Sequence, residues 1–375
     1  MRIAVNATNI SSGGGLNHLI QITENLNNSI VENDIIFVWA SHEVLNNIPS
    51  KPFIIKKTNY WINSNTIFRS LWVFFNLKKH LIKNSCHVLF TPGGNNLSRF
   101  NNVVIMSRNI LPFELSLLLN QKDYLMFCKM FLIRILTISN FKKSSGIIFL
   151  NDYILNRTLS NKYRSKSIVI PHGVNHKLFC KKQFYNKIFS KEMPCKIIYP
   201  SSFFKYKNHE LVIQALQSIT SEIYLEVIFV GDLNTLPNRL KDQIINFKSS
   251  YVTLKLIDYV SSYKLNLLYE NSDIGLFASK CENLPNTLLE MMAKGMPIIA
   301  SDFQVHQEVL GSKNVFFNLN NYNELKMCIL KLYNSLELRT DLANYNFTKS
   351  KNYNWKKTTV ETLEFLRNHK LYVKK

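Results

Sequence analysis

Short apolar runs recur along the chain, separated by stretches long enough to hold a helix, and this alternation predicts a parallel sheet covered by helices. Arg2 to Asn6 reads as a strand, Ser11-Ser12-Gly13-Gly14-Gly15 as a loop, and Leu16 to about Asn27 as a helix with apolar Leu16, Leu19, Ile20, Ile22 and Leu26. Further strands are expected at Ile35 to Ala40, Val88 to Thr91, Val103 to Ser107, Gly146 to Leu150 and Ser167 to Ile170. After a Lys-rich stretch from Lys177 to Lys191 the pattern restarts at Lys196. Strands at 196–200, 225–231, 252–257, 274–277 and 298–300 then alternate with helices at 208–219, 236–248, 261–270 and 286–294. The pattern therefore predicts two doubly wound α/β domains and a closing helix carrying Val360, Leu363, Phe365 and Leu366.

The length of 375 residues fits two cores of ordinary size. Charge changes the picture more than length does. The formal net charge is +21, and residues 51–150 alone carry 14 Lys or Arg against 2 acids, whereas residues 201–375 carry 21 against 17. A basic half attracts something anionic: nucleic acid, acidic lipid or a phosphorylated substrate. The six cysteines show neither C-x-x-C pairing nor metal-ligand spacing and read as reduced packing residues of a cytoplasmic protein. No metal site and no cofactor are expected. The N-terminal segment lacks the pattern of a secretory leader. The apolar runs Leu71 to Leu77 and Met130 to Ile138 read as too short, or too interrupted by Arg134, to cross a bilayer.

The segment Ser279-Lys280-Cys281-Glu282-Asn283-Leu284-Pro285-Asn286-Thr287-Leu288-Leu289-Glu290 carries the most specific chemistry. A strand ends at Ala278, and Pro285 suits the opening of a helix, so the free N–H groups of a helix start face the end of a sheet, where α/β folds hold phosphates. Glu282 and Glu290 can accept hydrogen bonds from sugar hydroxyls. In this context the pair resembles the E-x7-E signature of retaining glycosyltransferases of family 4. The resemblance continues through Tyr199 to Glu210, Phe229-Val230-Gly231-Asp232, Ile257 to Asp273 and the turn Lys294-Gly295-Met296-Pro297.

That resemblance implies a GT-B fold, two Rossmann-like doubly wound domains facing a central cleft. It implies an N-terminal acceptor-side domain at 1–175, a linker at 176–195, a nucleotide-sugar-binding domain at 196–352, and a helix over 353–375 returning to the first domain. The implied reaction is transfer of a hexose-type sugar, with retention, from a nucleotide-diphosphate sugar to a saccharide acceptor, a lipid-linked intermediate of O-antigen or surface polysaccharide. Lys207 would neutralise the diphosphate, Glu282 would hold the transferred sugar with the backbone of Asn283 and Leu284, and Glu290 would hold the ribose. Gly14 and Gly15 would admit close approach of the donor. Two positions depart from the family. Ser202 stands where members commonly carry Arg, which leaves open whether Lys205 replaces that cation, and Arg108-Asn109 stand where members often carry a His-Asp pair. Arg108 is thus either a phosphate or acceptor contact or the ion-pair partner of Glu114. No D-x-D occurs, which fits metal-independent transfer.

Basic and aromatic residues mingle at 56–83 and 121–143, a combination suited to an acidic membrane surface, so peripheral attachment to the inner face of the cytoplasmic membrane is expected. A sugar-nucleotide epimerase or hydrolase of the same fold is the nearest alternative. A nucleic-acid-binding protein is disfavoured because no recognition motif accompanies the charge.

Overall fold

The computed structural model describes all residues except 12, 121–123, 159–160, 176–177, 180–187, 221 and 370–375. Contacts divide the chain into two units, Met1–Gly173 with Tyr353–Lys375, and Val174–Asn352. Most of the linker expected at 176–195 lies outside the described residues.

Unit 1 is built on seven parallel strands: β1 (Arg2–Asn6), β2 (Ile35–Trp39), β3 (Ile54–Lys57), β4 (Val88–Thr91), β5 (Val103–Met106), β6 (Gly146–Phe149) and β7 (Ser167–Val169). Their order is β3-β2-β1-β4-β5-β6-β7, so the winding direction reverses between β1 and β4. The central strands are buried at every position, which is why they read as unbroken apolar runs rather than alternating ones. β3 escapes the sequence reading because it is an edge strand, Ile-Ile-Lys-Lys, whose Lys56 Nζ reaches the Ile48 carbonyl at 2.6 Å.

The helix Trp355–Asn368 completes this unit although it is distant in sequence. Arg367 ties it to Asp34 at 2.8 Å, and the Thr358 hydroxyl donates to the Pro171 carbonyl at 2.8 Å. Trp355 lies edge-on to His18, with ring centres 5.3 Å apart. At Gly173 the approach is closest: a Cβ there would stand 2.2 Å from the Trp355 backbone nitrogen.

One expectation about the apolar runs is corrected. The helix that forms is Tyr124–Lys143, 20 residues with a mean hydropathy of 1.4 and only 11% of its apolar window buried, so by length and composition it could cross a membrane. Its neighbours decide otherwise. β5 precedes it and β6 follows it, and the two pair in parallel with Val104 opposite Gly146, so the helix is the crossover lying along the sheet. Met130 and Phe141 are its buried anchors, and the Arg134 guanidinium sits 5.6 Å from the Phe113 ring centre.

Unit 2 has six parallel strands: β8 (Cys195–Pro200), β9 (Leu225–Val230), β10 (Val252–Ile257), β11 (Ile274–Phe277), β12 (Ile298–Ser301) and β13 (Val315–Phe317). The order β10-β9-β8-β11-β12-β13 reverses between β8 and β11. Two helices beyond the sequence reading, Tyr322–Asn334 and Leu336–Ser350, are joined by a buried cation. Arg339 Nη1 donates to the carbonyls of Leu332 and Tyr333, at 2.5 and 2.7 Å, in the last turn of the preceding helix, where the dipole favours positive charge.

Replacing Gly173 by alanine sets a methyl group against main chain that cannot yield without moving the C-terminal helix. The expected loss is about 1–3 kcal/mol of stability, the usual cost of overpacking, read as a lower urea midpoint.

Candidate functional site

In an open parallel sheet, the loops leaving two neighbouring strands that wind in opposite directions diverge and leave a crevice at the strands' carboxyl ends. In unit 2 this crevice lies between β8 and β11, and the residues singled out in the sequence come from the two segments that border it. The segment after β8 carries a short 3-10 turn, Lys205–Lys207, and the segment after β11 carries Glu282 ahead of the helix Asn286–Ala293. The two are stitched together by the Lys280 N–H, which donates to the Tyr206 carbonyl at 2.8 Å.

Across this stitch Lys207 Nζ forms an ion pair with Glu282 Oε1. Both side chains retain a little access to solvent, 16% and 12%, so the pair is open to replacement by a ligand. The ammonium also lies 5.4 Å from the Tyr206 ring centre and 5.9 Å from that of Phe277, an aromatic surround that suits a cation. The Tyr199 hydroxyl donates to the Lys207 carbonyl at 2.5 Å and fixes the main chain from β8.

Asn208 explains how Lys207 is aimed. Its backbone is left-handed, φ 63°, a conformation that asparagine tolerates better than other residues with side chains. The side-chain amide donates to the Leu319 carbonyl at 2.9 Å, and the chain turns there into the helix His209–Gln217. Gly231, at the end of β9, is needed because a Cβ would stand 2.2 Å from the Ser201 carbonyl, so the loop after β8 rests directly on main chain.

Glu290 lies on the helix Asn286–Ala293, which opens behind Pro285. Its Oε2 accepts from the Tyr269 hydroxyl at 2.9 Å. Burial pushes the Glu290 carboxyl above its usual range, and the tyrosine bond pulls it partly back. Asn283 and Leu284 are buried between Glu282 and this helix. Ser202 is half-buried in the loop after β8 and Lys205 is exposed one short turn before Lys207.

Two histidines of this region passed unnoticed in the sequence. His209 is enclosed by the rings of Tyr199, Phe203 and Phe229, and burial with the nearby Lys207 charge lowers its pKa to about 3. His306 packs edge-on to Phe277, its Nδ1 lies 3.0 Å from the Ser301 carbonyl, and burial lowers its pKa to about 4. No local motif marks them, since only the folded core brings the rings around them.

In unit 1 the loop after β1, the segment after β5 and the segment after β7 bring Gly15, Arg108 and His172 to one edge of the sheet. The helix Gly13–Asn25 begins at Gly13, whose φ of 64° requires glycine, whereas a Cβ at Gly15 would meet Ile10 at 3.5 Å, an ordinary contact. Space at Gly15 is therefore not demanded by the protein's own packing. The expected alternative for Arg108 is corrected: Glu114 is engaged by Arg157 at 2.9 Å and by Tyr153 at 3.2 Å. The Asn109 side chain turns back to accept from the Leu111 N–H at 3.1 Å.

Comparison with known proteins agrees with this layout. Residues 181–349 match the family described as glycosyl transferases, group 1. An uncharacterized glycosyltransferase of Methanocaldococcus jannaschii is 26% identical over 219 residues, and the match spans 57% of this chain and 57% of that relative. A glycosyltransferase of Rickettsia africae superposes with a TM-score of 0.70 at 17% identity, covering 98% of both chains. Sucrose-phosphate synthase of Thermosynechococcus elongatus gives 0.72 at 14% identity over 98% of both chains. The Anabaena protein HepE, solved with UDP and glucose, gives 0.68 at 15% identity over 98% of this chain and 99% of its own. At these identities the likeness establishes the fold, which is GT-B, with two Rossmann-like domains.

The buried histidines set the acid limit of unit 2. Their folded pKa values lie below the unfolded 6.5, so their stabilising effect is complete above that pH and is lost as pH falls toward 4 and 3. Each adds about 1.4 kcal/mol of lost stability per pH unit below its unfolded pKa. Urea unfolding of His209→Phe should show a shallower acid slope than wild type by about that amount; equal slopes would refute a neutral buried imidazole at this position.

Proposed function

We propose that the protein is a metal-independent, retaining glycosyltransferase that moves a hexose-type sugar from a nucleotide diphosphate to a saccharide acceptor. The observation that carries this reading is the Lys207–Glu282 pair set across the β8/β11 crevice, with Glu290 on the helix that follows. The group 1 match over the same unit and the UDP and glucose held by HepE support it.

The roles follow from charge. As the bond between the anomeric carbon and the diphosphate oxygen breaks, negative charge grows on the leaving diphosphate, and a positioned cation stabilises that change more than it stabilises bound substrate. Lys207 supplies the cation. In the structure its charge is held by Glu282; on binding, the diphosphate takes over the ammonium and releases the carboxylate to accept from a hydroxyl of the transferred sugar. Glu290, anchored by Tyr269, accepts from the ribose. The acceptor oxygen bonds to the anomeric carbon on the face the diphosphate leaves, and its proton passes to a donor phosphate oxygen, so configuration is kept and no protein base is needed.

The acceptor is proposed to be lipid-linked, an intermediate of O-antigen or another surface polysaccharide, met on the inner face of the cytoplasmic membrane. The helix Tyr124–Lys143 supports this with Leu125, Leu132, Ile135 and Leu136 exposed along one stripe, at 87%, 62%, 51% and 47%. Lys129, Lys142 and Lys143 on the same helix are also exposed, the pairing of apolar and basic groups that suits an acidic interface. Arg99 and Lys143 with Phe74 and Leu136 line an adjoining hollow of about 720 Å³.

Calorimetric titration against UDP-, GDP- and other nucleotide sugars in EDTA tests the donor site. One donor should bind saturably, and Lys207→Ala should weaken it at least tenfold and slow turnover by about 10²–10³-fold. Absence of binding to any donor overturns the reading, and release of free sugar or an altered nucleotide sugar without acceptor replaces it with hydrolysis or epimerisation. For the membrane, wild type should sediment with acidic vesicles at low salt and not with zwitterionic ones. Leu132→Glu with Ile135→Glu should stay in solution while keeping donor affinity, and indifference of wild type to acidic vesicles removes the membrane proposal.

A further inference from the structure

Unit 1 contains a guanidinium that nothing described around it neutralises. Arg108 follows β5, and its Nη1 is shut off from solvent with no hydrogen-bond partner among the described residues. The carboxylate nearest in sequence, Glu114, is occupied by Arg157 and Tyr153. Burial lowers the arginine's pKa to about 10, and among the described residues no acidic group acts to raise it. Arg108 as a whole is half-buried, but an N–H group shut off from solvent and left unpaired costs stability that a ligand oxygen would recover.

The surroundings are built to keep that charge unmatched. His18 and His172 are fully buried and joined Nδ1 to Nδ1 at 2.9 Å. Desolvation is the largest cause of their lowered pKa values, and Arg108's field adds to it, so both rings stay neutral. His18 Nε2, on the far side of the same ring, is a second buried nitrogen without a partner among the described residues. The first turn of the helix Gly13–Asn25 adjoins the same edge and has no acidic residue. Where a side chain at Gly15 would begin, the nearest polar atom is Arg108 Nη1, 3.9 Å away.

We propose that Arg108 anchors an oxyanion subsite in unit 1, taking a carboxylate or phosphoryl group carried by the saccharide substrate. A guanidinium presents paired N–H donors in one plane, matched to two oxygens of one anion, and remains charged at any working pH. The subsite distinguishes this chain from the resembling family, in which a His-Asp pair occupies positions 108 and 109. It makes negative charge on the sugar, or on a phosphate attached to it, a condition of recognition. Only the identity of the molecule bearing the oxyanion rests on the glycosyltransferase reading; the subsite itself does not.

The test reads the histidine rings rather than activity. Full-length protein labelled with ¹⁵N-histidine is titrated with glucuronate, with glucose 1-phosphate and with glucose. The His18 and His172 ring signals should move saturably with at least one anion and not with glucose. A stronger response to glucuronate assigns a carboxylate, and a stronger response to glucose 1-phosphate assigns a phosphoryl group. Arg108→Gln should lower the anion affinity at least tenfold and Arg108→Lys should recover part of it, with the His87 signal unchanged as the check on folding of unit 1. Lys207→Ala, in unit 2, should leave the response intact, so loss of the donor site and loss of this subsite are read separately. Rings indifferent to both anions, or an Arg108→Gln protein that binds as wild type does, overturn the proposal.

Discussion

Parallel strands can leave a usable crevice only where the winding direction reverses, and in unit 2 that reversal falls between β8 and β11. The Lys207–Glu282 ion pair spans it. Much else in the unit serves that pair. Asn208 spends its left-handed backbone to aim Lys207, Tyr199 pins the Lys207 carbonyl, and Gly231 lets the β8 loop settle on main chain. The hydrogen bond from Lys280 to Tyr206 then joins the two loops, so the cation and the carboxylate are held by one connected backbone.

Unit 1 solves a different problem with the same type of sheet. It is completed by a helix from the far end of the chain, held by Arg367, Thr358 and the contact of Trp355 with Gly173 and His18. At the edge next to this seam, Arg108 has no carboxylate partner among the described residues, while its histidine neighbours remain neutral. Unit 2 thus holds a cation paired with a carboxylate at its crevice, and unit 1 a cation without such a pair among the described residues.

The apolar helix Tyr124–Lys143 shows why composition and topology must be read together. Its hydropathy is that of a spanning segment, yet the hydrogen bonds between β5 and β6 hold both of its ends to one sheet. An apolar face that cannot enter a bilayer end-on is left lying at the surface with lysines beside it.

The sequence by itself determined the two doubly wound domains, because strands buried on both faces must be unbroken apolar runs and the helices between them must be amphipathic. It also offered Lys207, Glu282 and Glu290 as candidates, through the family resemblance of the segments around them rather than through the spacing of the carboxylates alone. Edge strands β3 and β13 were lost, being short and, in β3, half lysine, so that pairing rather than pattern defines them. Only the tertiary structure decided who partners whom: that Glu114 belongs to Arg157 rather than Arg108, that Tyr269 anchors Glu290, and that His209 and His306 are neutral. Charge compensation and desolvation depend on distance in space, and residues far apart in the chain supply both.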